Sequence, residues 1–452
     1  MSNENATLKA KLKALETQSK QLSRKIGEAK KAGLDTANGL ITEKQALQKE
    51  LITPLKNQIK NLVEQNASAP INSGLIESKA ETETKTDKPF ELSPYPSTHT
   101  KVDPGNISIR LLENFEPLEN TWDDYIKHHP QHSIYHTQTF LNTISRTFGH
   151  NLKLLVATDN TSNSIIGLVP LIEQKSPLFG HLWTSIPFVN YGGILADNPE
   201  IEKALLDQAQ TFAFEAGVKQ IEIRGLYQRP CDWRINTDKA SMWLKLPSDS
   251  DTLLKGFKAK LRSQIKKGYT EHVETRIGKA ELLSDFYTIF SRNMRDLGTP
   301  VYSINLFKDI LEALEANTYI VIVYFDGKPA SCAFLIRSGT RMEIPWASTI
   351  RKYNQHNLNM VLYWEVLKLS CKEQCETFDF GRSSIDASTY RFKKQWGALP
   401  IQHYWYSNTP DTQESAGLNP NNPKYQLLIN AWQRLPLWLA NFIGPFIVKY
   451  IP

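Results

Sequence analysis

Residues 67–105 constrain the fold most, because their composition divides the chain into two parts that must fold separately. The segment consists mainly of Ser, Thr, Pro, Lys and Glu, with few large apolar side chains. Such a composition cannot bury enough apolar surface to offset the entropy lost when a chain becomes ordered. We therefore expect a disordered linker that tethers an N-terminal part, residues 1–66, to a much larger C-terminal part.

The N-terminal part has the heptad pattern of a helical hairpin. Apolar residues from Leu8 to Ala29 recur at alternating steps of three and four, and Gly33 then supplies a helix-ending glycine. A second apolar run with similar spacing follows and is interrupted by Pro54. The pattern predicts an antiparallel coiled-coil hairpin over residues 1–66, with a kink or a short break at the proline.

The C-terminal part has an alternating pattern of helices and strands that occurs twice. The chain has 452 residues, which allows two or three domains. The sequence therefore predicts an α/β fold with two related lobes, residues 106–247 and 248–410, followed by a tail over residues 411–452.

The tail is apolar and aromatic from Lys424 onward, including Trp438, Phe442 and Phe446. It is too short and too often interrupted by proline to span a bilayer. Two interpretations stay open, a helix that attaches to an anionic membrane surface and a helix that docks onto the protein's own core.

The N-terminus and the cysteines indicate where the chain resides. The first residues are polar and lead into the charged heptads, so the apolar run of a secretory signal is missing. The four cysteines are too few and too scattered for a disulfide framework or a zinc knuckle. We expect a cytoplasmic protein with reduced thiols and no metal site.

Several motifs after the linker resemble the Fem-like branch of the GNAT acetyltransferase superfamily, in particular the sub-group that accompanies exosortase-type protein sorting and exopolysaccharide systems. These motifs are Gly167–Leu171, Lys175–Gly180, Pro187–Gly193, Arg262–Lys267, Phe378–Ser383, Tyr390–Gly397 and Leu435–Pro445. The resemblance implies two tandem GNAT-like lobes. It also implies an acyl or aminoacyl transferase that acts on an amine of a cell-envelope or exopolysaccharide precursor.

The hairpin resembles the tRNA-binding arm of seryl-tRNA synthetase over Leu22–Gly33. The basic residues near the turn are the candidate nucleic-acid contacts: Arg24, Lys25, Lys30 and Lys31. Fem-type transferases that use aminoacyl-tRNA carry their hairpin within the second lobe, whereas this one is N-terminal and tethered. A lysine-rich coiled coil that serves only for oligomerisation is the alternative.

The chain lacks the motifs of covalent catalysis and of a typical coenzyme A cradle. No Gly-x-Ser-x-Gly elbow or Cys–His pair is evident, which favours direct attack of the acceptor on the acyl donor. After the strand that contains Trp346, the phosphate-binding glycines of acetyl-CoA users are missing, which favours an unusual donor. Trp346 and Asn359, at the start of the next helix, are candidate substrate-binding residues.

The end of the predicted strand Thr377–Phe380 is the predicted catalytic centre, because sites in α/β proteins gather at strand termini. Asp379 could orient a base or bind an amine, and Arg382 could hold a carboxylate or a phosphate. Tyr390 and Lys393 lie three apart on one helical face and are candidate substrate contacts. The alternative is an internal Asp–Arg or Asp–Lys pair that only fastens the strand to the following segment.

Four further residues are candidate substrate contacts. Tyr191 precedes two glycines that would permit close approach of a ligand, although glycines that only form a bulge are the alternative. Arg224 follows a strand, and the resemblance to the Fem-like branch implies that it faces the cleft between the two lobes. Arg262 and Lys266 form a basic helix edge suited to a phosphate, or alternatively an ordinary solvated face.

Three functions fit these features. The leading one is an acyltransferase without a resident cofactor, whose donor is aminoacyl-tRNA bound by the hairpin. The second is an N-acyltransferase that uses acyl-CoA or an acyl carrier protein. The third is a non-catalytic scaffold that links RNA or a partner to the inner face of the cytoplasmic membrane.

Overall fold

The computed structural model describes residues 2–31, 36–52, 54–55, 90, 92–97, 104–118, 121–176, 180–229, 231–410 and 423–451. The chain forms two compact units, Met1–Asp87 and Lys88–Pro452. Residues 67–89 of the predicted linker, and residues 411–422 of the predicted tail, lie outside the described residues.

The first unit contains the predicted helices. Helix α1 spans Ser2–Lys31 and helix α2 spans Thr36–Ala46, and a π-helical segment, Leu47–Ile52, follows α2. A cluster of leucines joins these helices: Leu12, Leu15, Leu22, Leu40 and Leu47. The π-helical segment ends just before Pro54, whose ring cannot fit behind a regular α-helical turn. The remainder of the predicted second helix, beyond residue 55, lies outside the described residues.

Part of the predicted linker is ordered against the second unit. The ring of Phe90 packs edge-on against Trp243, with the ring centres 5.4 Å apart. The Tyr95 hydroxyl donates a hydrogen bond of 2.5 Å to Glu202. Phe90 and Tyr95 supply the large aromatic surface of the predicted linker, and their contacts explain why the predicted disorder does not extend through residues 90 and 92–97.

The second unit consists of helices and strands in alternation. Its described helices are α3 (Thr121–His128), α4 (Gln138–Phe148), α5 (Pro199–Glu215), α6 (Ser250–Gly256), α7 (Ala259–Gly268), α8 (Leu283–Leu297), α9 (Ile304–Ala313), α10 (Leu358–Lys372), α11 (Ser388–Lys394), α12 (Pro423–Gln433) and α13 (Leu437–Val448). Short 3-10 helices occur at Pro104–Asn106, Ile134–His136, Ala280–Leu282, Glu315–Asn317 and Arg351–His356.

The strands of the second unit form two sheets. They are β1 (Ile107–Leu112), β2 (Asn151–Asp159), β3 (Ile165–Ser176), β4 (Gly180–Thr184), β5 (Leu195–Ala196), β6 (Gln220–Gly225), β7 (Arg234–Asn236), β8 (Lys239–Lys245), β9 (Val273–Gly278), β10 (Thr318–Phe325), β11 (Lys328–Ser338), β12 (Arg341–Thr349), β13 (Thr377–Ser384), β14 (Leu399–Gln402) and β15 (Tyr404–Asn408). The first sheet has the order β1-β2-β3-β4-β6-β15-β7, with β5 paired to β3, and the second has the order β14-β8-β13-β12-β11-β10-β9.

The two sheets exchange strands, so they do not follow the predicted boundary at residue 247. Strand β8 precedes that boundary yet pairs with β13 and β14 of the second sheet. Strand β15 comes from the end of the second lobe and pairs with β6 and β7 of the first sheet. Strand pairing between lobes leaves no trace in local periodicity, which is why the sequence pattern placed both strands in the neighbouring lobe.

Most ladders are antiparallel, but each sheet has one parallel junction. In the first sheet β4 runs parallel to β6, and in the second β12 runs parallel to β13. The pairing of β12 with β13 covers only Arg341–Glu343 against Thr377–Asp379, after which the two strands separate. We call this point the fork, and it positions the candidate site.

The last described element, α13, docks onto the second unit with one face. Ala440, Gly444 and Val448 are buried, and a side-chain atom added at Gly444 would lie 2.9 Å from the backbone nitrogen of Val301. Docking onto the protein's own core, one of the two interpretations of the tail, is therefore present. Among the described helices, none combines the length and the apolar character needed to cross a membrane.

Candidate active site

The fork places two carboxyl groups side by side in the protein interior. Glu343 and Asp379 are direct partners in the last register of the parallel ladder. Partnered residues of neighbouring strands project from the same face of a sheet. Their exposed fractions are 4% and 0%. Two buried acids at the point where two strands separate are costly to ionise together, which makes the fork a candidate functional site.

Side chains from the first lobe cover this carboxyl pair. The Tyr135 hydroxyl donates to Glu343 Oε2 at 2.7 Å, and Asn190 Nδ2 donates to Glu343 Oε1 at 3.0 Å. The Tyr191 hydroxyl lies 3.3 Å from Glu343 Oε2 and 3.3 Å from Asp379 Oδ2. A phenol has one proton to donate, so Tyr191 can donate to only one of the two carboxyl groups. The other carboxyl group, when protonated, donates to the Tyr191 oxygen. The site therefore lies between the lobes and suits a single shared proton.

The electrostatics of the pair agree with this geometry. Burial raises the pKa of Glu343 to about 7, and the neighbouring charge of Asp379 adds to the effect. Burial also raises the pKa of Asp379, against the attraction of the Arg341 guanidinium. Arg341 lies 4.7 Å from the Trp243 ring centre and 5.6 Å from that of Tyr191. The pair thus changes its charge near neutral pH, as a proton acceptor in catalysis must.

A bulge follows Asp379 and changes the direction of β13. The register with β8 shifts between Asp379 and Arg382, so that one extra residue is accommodated. Gly381 has a φ of 72° and donates its backbone N–H to Asp379 Oδ1 at 2.7 Å. A side-chain atom at Gly381 would lie 3.2 Å from the carbonyl oxygen of Ile344 on β12. Glycine is required here by the left-handed backbone and by the close neighbouring strand.

Beyond the bulge, two arginines stack on one tryptophan. The guanidinium of Arg224 lies 4.2 Å from the ring centre of Trp405, and that of Arg382 lies 4.8 Å from it. Arg224 is neutralised by Glu222, which accepts from its Nε at 2.8 Å. Arg382 has no salt bridge to an acid among the described residues. Desolvation by the surrounding protein, and then the charge of Arg224, lower its pKa to about 10. The residue is nevertheless exposed to solvent, so an anion can reach its guanidinium.

His403 adds an unsatisfied polar atom beside the arginines. Its Nε2 lies 2.9 Å from the Ser241 hydroxyl, while its Nδ1 is buried and has no hydrogen-bond partner among the described residues. Burial, followed by the charges of Arg382 and Arg224, lowers the pKa of His403 to about 3, so the ring is neutral at physiological pH. The arginines, Trp405 and His403 together form a positively charged, aromatic-walled site suited to an anionic group.

Lys393 holds the backbone of the β13 bulge in place. Its Nζ donates to the carbonyl oxygens of Gly381 and Arg382, both at 2.9 Å. Burial lowers its pKa to about 8, against the attraction of Asp379. The described residues contain no Asp379–Arg382 or Asp379–Lys393 salt bridge, so the fastening pair considered from the sequence does not form. A lysine bound to carbonyl oxygens ties α11 to the bulge instead.

Of the ten predicted catalytic and substrate-binding residues, five come together around the fork and five lie elsewhere. The five at the fork are Asp379, Arg382, Tyr191, Arg224 and Lys393. Arg262 Nη1 donates to the carbonyl oxygens of Lys255 and Phe257 and so ties α7 to the end of α6. Lys266 is exposed on α7, and Asn359 and Tyr390 are partly buried on α10 and α11.

Trp346 belongs to the hydrophobic core of the second lobe. Its ring centre lies 5.1 Å from that of Phe307 and 5.5 Å from that of Phe334. The side chain is 8% exposed. A ring packed edge-on between core phenylalanines supports the sheet, and Trp346 lies on β12 beyond Glu343, the last residue paired with β13, rather than at the fork.

The loop between β4 and β5 carries two of the three first-lobe side chains, Asn190 and Tyr191, and has an unusual backbone conformation. Ile186 has a φ of 47° and Phe188 a φ of 77°, values that residues other than glycine rarely adopt. Phe188 is held by stacking on Phe148, with ring centres 4.1 Å apart. Each such residue costs on the order of 1–3 kcal/mol, and such residues cluster at functional sites. The loop is thus built to hold Asn190 and Tyr191 in place.

Sequence reasoning missed Glu343, Tyr135, Arg341, His403 and Trp405. Only Glu343 left a local signal, since it is a single acid within an otherwise apolar strand segment, Met342–Ala347. The other four reach the site through pairing between distant strands and through the first lobe.

The fold and the site together define an α/β protein with two acetyltransferase-like lobes. Residues 255–394 match the family described as an acetyltransferase (GNAT) domain. No curated protein matches the sequence significantly. The acetyltransferase-type fold predicted from the motifs is confirmed, whereas the exosortase-associated sub-group and the synthetase-like arm stay predictions.

Similar folds occur among solved structures. FemX has a TM-score of 0.51 and 16% identity, covering 71% of this chain and 100% of its own. A tandem GNAT protein from the clavulanic acid biosynthesis pathway has a TM-score of 0.46 and 11% identity, covering 69% of this chain and 100% of its own. Saccharomyces cerevisiae N-myristoyltransferase has a TM-score of 0.44 and 11% identity, covering 81% and 96%. The likeness to FemX supports the two-lobed fold and no more.

Proposed function

We propose that the protein is an acyltransferase that moves an acyl or aminoacyl group to an amine. The observation that carries the proposal is the buried carboxyl pair of Glu343 and Asp379 at the fork, adjoining the Arg224–Trp405–Arg382 site. An amine acceptor must lose a proton when it attacks a carbonyl carbon, and a carboxyl pair that titrates near neutrality accepts it. The match of residues 255–394 to an acetyltransferase domain supports the same reaction class.

The reaction balances without a covalent enzyme intermediate. The acceptor nitrogen attacks the acyl carbonyl carbon, a C–N bond forms, and the bond to the donor's oxygen or sulfur breaks. One amine proton passes to the Glu343–Asp379 pair, and the pair returns this proton to the leaving oxygen or sulfur as the donor departs. Arg382 and Arg224 would hold an anionic group of a substrate in register while these bonds change.

We further propose aminoacyl-tRNA as the donor. Two features support this choice, the basic end of α1 and the absence of glycines between β12 and α10. That connection forms a 3-10 helix, Arg351–His356, instead of a glycine-rich phosphate turn. Lys25 of the hairpin is exposed, while the side chains of Arg24, Lys30 and Lys31 lie outside the described ones. Acyl-CoA or an acyl carrier protein as donor is the alternative, with the hairpin used for oligomerisation.

The acceptor class is proposed from the resemblance of the lobe motifs to the exosortase-associated sub-group. An amine of a cell-envelope or exopolysaccharide precursor, met at the inner face of the cytoplasmic membrane, fits that resemblance. The Arg224–Trp405–Arg382 site beside the carboxyl pair would suit the phosphate or carboxylate groups that such precursors carry.

A donor comparison tests the proposal. Full-length protein is incubated with an amine acceptor pool from envelope extracts and with either labelled aminoacyl-tRNA or labelled acyl-CoA. We expect label transfer from aminoacyl-tRNA, its loss in Asp379→Asn, and its loss in a variant that lacks residues 1–66. Transfer from acyl-CoA that persists without residues 1–66 would establish the alternative donor, and no transfer from either donor would favour the scaffold function.

A further inference from the structure

Helix α13 presents an aromatic stripe to solvent. Trp438, Phe442 and Phe446 follow one another at steps of four residues, and their exposed fractions are 70%, 67% and 61%. Steps of four keep side chains on one face of a helix. Ala440, Gly444 and Val448 face the opposite way and are buried. We call the three exposed aromatic residues the α13 stripe.

Hydrogen bonds at both ends of α13 hold the helix with the stripe facing solvent. The Lys449 carbonyl oxygen accepts from His150 Nε2 at 2.8 Å and from Gln174 Nε2 at 3.2 Å. At the other end, the Leu435 carbonyl oxygen accepts from Arg295 Nη1 at 3.0 Å. A helix fixed at both ends, with glycine against its support, cannot roll to bury its outer face.

Two further large apolar side chains are exposed on helices that pack together with α13 or beside it. Leu428, on α12, is 65% exposed, and Leu297, at the end of α8, is 60% exposed. Both α12 and α13 contact α8. Single exposed apolar residues are ordinary on protein surfaces, but clustered ones mark an interaction site.

The charge around the stripe indicates what covers it. The sequence 423–452 contains no Asp or Glu, and its charged residues are Lys424, Arg434 and Lys449. On the neighbouring helix α8, Asp296 is neutralised by Arg295 at 2.7 Å. An apolar face on a segment whose charged residues are all cations complements a surface that is apolar inside and anionic outside.

We propose that the α13 stripe docks on an anionic phospholipid bilayer. A twelve-residue helix is about 18 Å long and cannot cross a hydrocarbon core of about 30 Å, so it would lie in the plane of the interface. Aromatic side chains would enter the boundary between headgroups and acyl chains, and the cations at both ends would meet lipid phosphates. The inference stands independently of the acyl-transfer proposal, because binding is measured without turnover.

Vesicle co-sedimentation of the full-length protein tests the proposal. The probes are vesicles of phosphatidylcholine alone and of phosphatidylcholine mixed with phosphatidylglycerol. We expect binding to the mixed vesicles, and a loss of about tenfold or more when Trp438, Phe442 and Phe446 are all changed to Ser. The matched control is Ile277→Ser, which removes an apolar side chain that is 45% exposed on the edge strand β9 and should leave binding unchanged.

Two further measurements show whether a bilayer or a second copy of the chain covers the α13 stripe. The double variant Arg434→Glu with Lys449→Glu keeps the aromatic stripe and should reduce binding to mixed vesicles. Its melting temperature should stay near that of the wild type. Unchanged vesicle binding by the triple Ser variant would overturn the proposal. A wild-type dimer in solution that the triple variant makes monomeric, with no vesicle binding by either, would instead identify a second copy of the chain as the occupant.

Discussion

Replacing Glu343 with Gln should remove a pH-dependent destabilisation of the folded protein. Burial raises the pKa of Glu343 from 4.5 to about 7. At 1.36 kcal/mol per pKa unit, a carboxyl that is charged in the fold at high pH costs about 3 kcal/mol relative to the unfolded chain. This cost is absent below pH 4.5, where both states are protonated, and grows as the pH rises towards 7, because the unfolded state has already released the proton.

The assay is the free energy of unfolding in urea at a series of pH values between 4.5 and 8. Ionisation of Glu343 at the fork should lower the free energy of unfolding of the wild type across this interval. Glu343→Gln should lose about 3 kcal/mol less, because an amide at the same position cannot ionise. It should also lose transferase activity, since the shared proton site is gone.

A matched variant separates this effect from loss of any buried acid. Glu365 is buried as well, but it faces Lys368 at 2.7 Å and the Tyr269 hydroxyl instead of a second carboxyl. Glu365→Gln should lower stability and should not reproduce the gain at high pH. If Glu343→Gln and the wild type show the same pH dependence of unfolding, the shared-proton interpretation of the fork is refuted.

Three further predictions test other parts of the structure. Arg382→Lys should lower turnover by roughly a hundredfold with little change in melting temperature, because lysine cannot reproduce a planar, stacked guanidinium; unchanged turnover would exclude Arg382 from the reaction. Gly381→Ala should cost about 1–2 kcal/mol in urea unfolding, because its left-handed φ and the 3.2 Å approach of the Ile344 oxygen leave no room for a side chain; wild-type stability would contradict this geometry. Reversing the charges of the four basic hairpin residues should weaken tRNA binding and flatten its salt dependence, and full-length protein without tRNA affinity at low salt would end the tRNA proposal.

The sequence predicted the two-lobed α/β fold and part of the site, each for a physical reason. Asp379 and Arg382 were identified because they lie around the predicted end of a short buried strand, although β13 continues to Ser384. Tyr191 was identified through the two glycines beside it. Local patterns of this kind survive in the sequence, because they depend on residues only a few positions apart.

The rest of the site depends on pairing between distant segments. Glu343 became a partner of Asp379 only through a parallel ladder of three registers. Trp405 reaches Arg224 because β15 crosses to the first sheet and pairs Trp405 with Arg224 itself. No periodicity of 2 or 3.6 residues encodes such crossings, so Arg262, Lys266, Trp346, Asn359 and Tyr390 were as plausible beforehand as the residues that meet at the fork.

The crossing of β15 also affects how the protein is made. Strand β6 pairs on one side with β15, which the ribosome adds only after the whole second lobe. Until Tyr404–Asn408 emerges, the nascent first sheet has an open edge at β6, and open strand edges pair readily with other chains. Folding of the first sheet is therefore completed last rather than first, and a stop codon between β6 and residue 404 should yield a chain that aggregates instead of a stable half-protein.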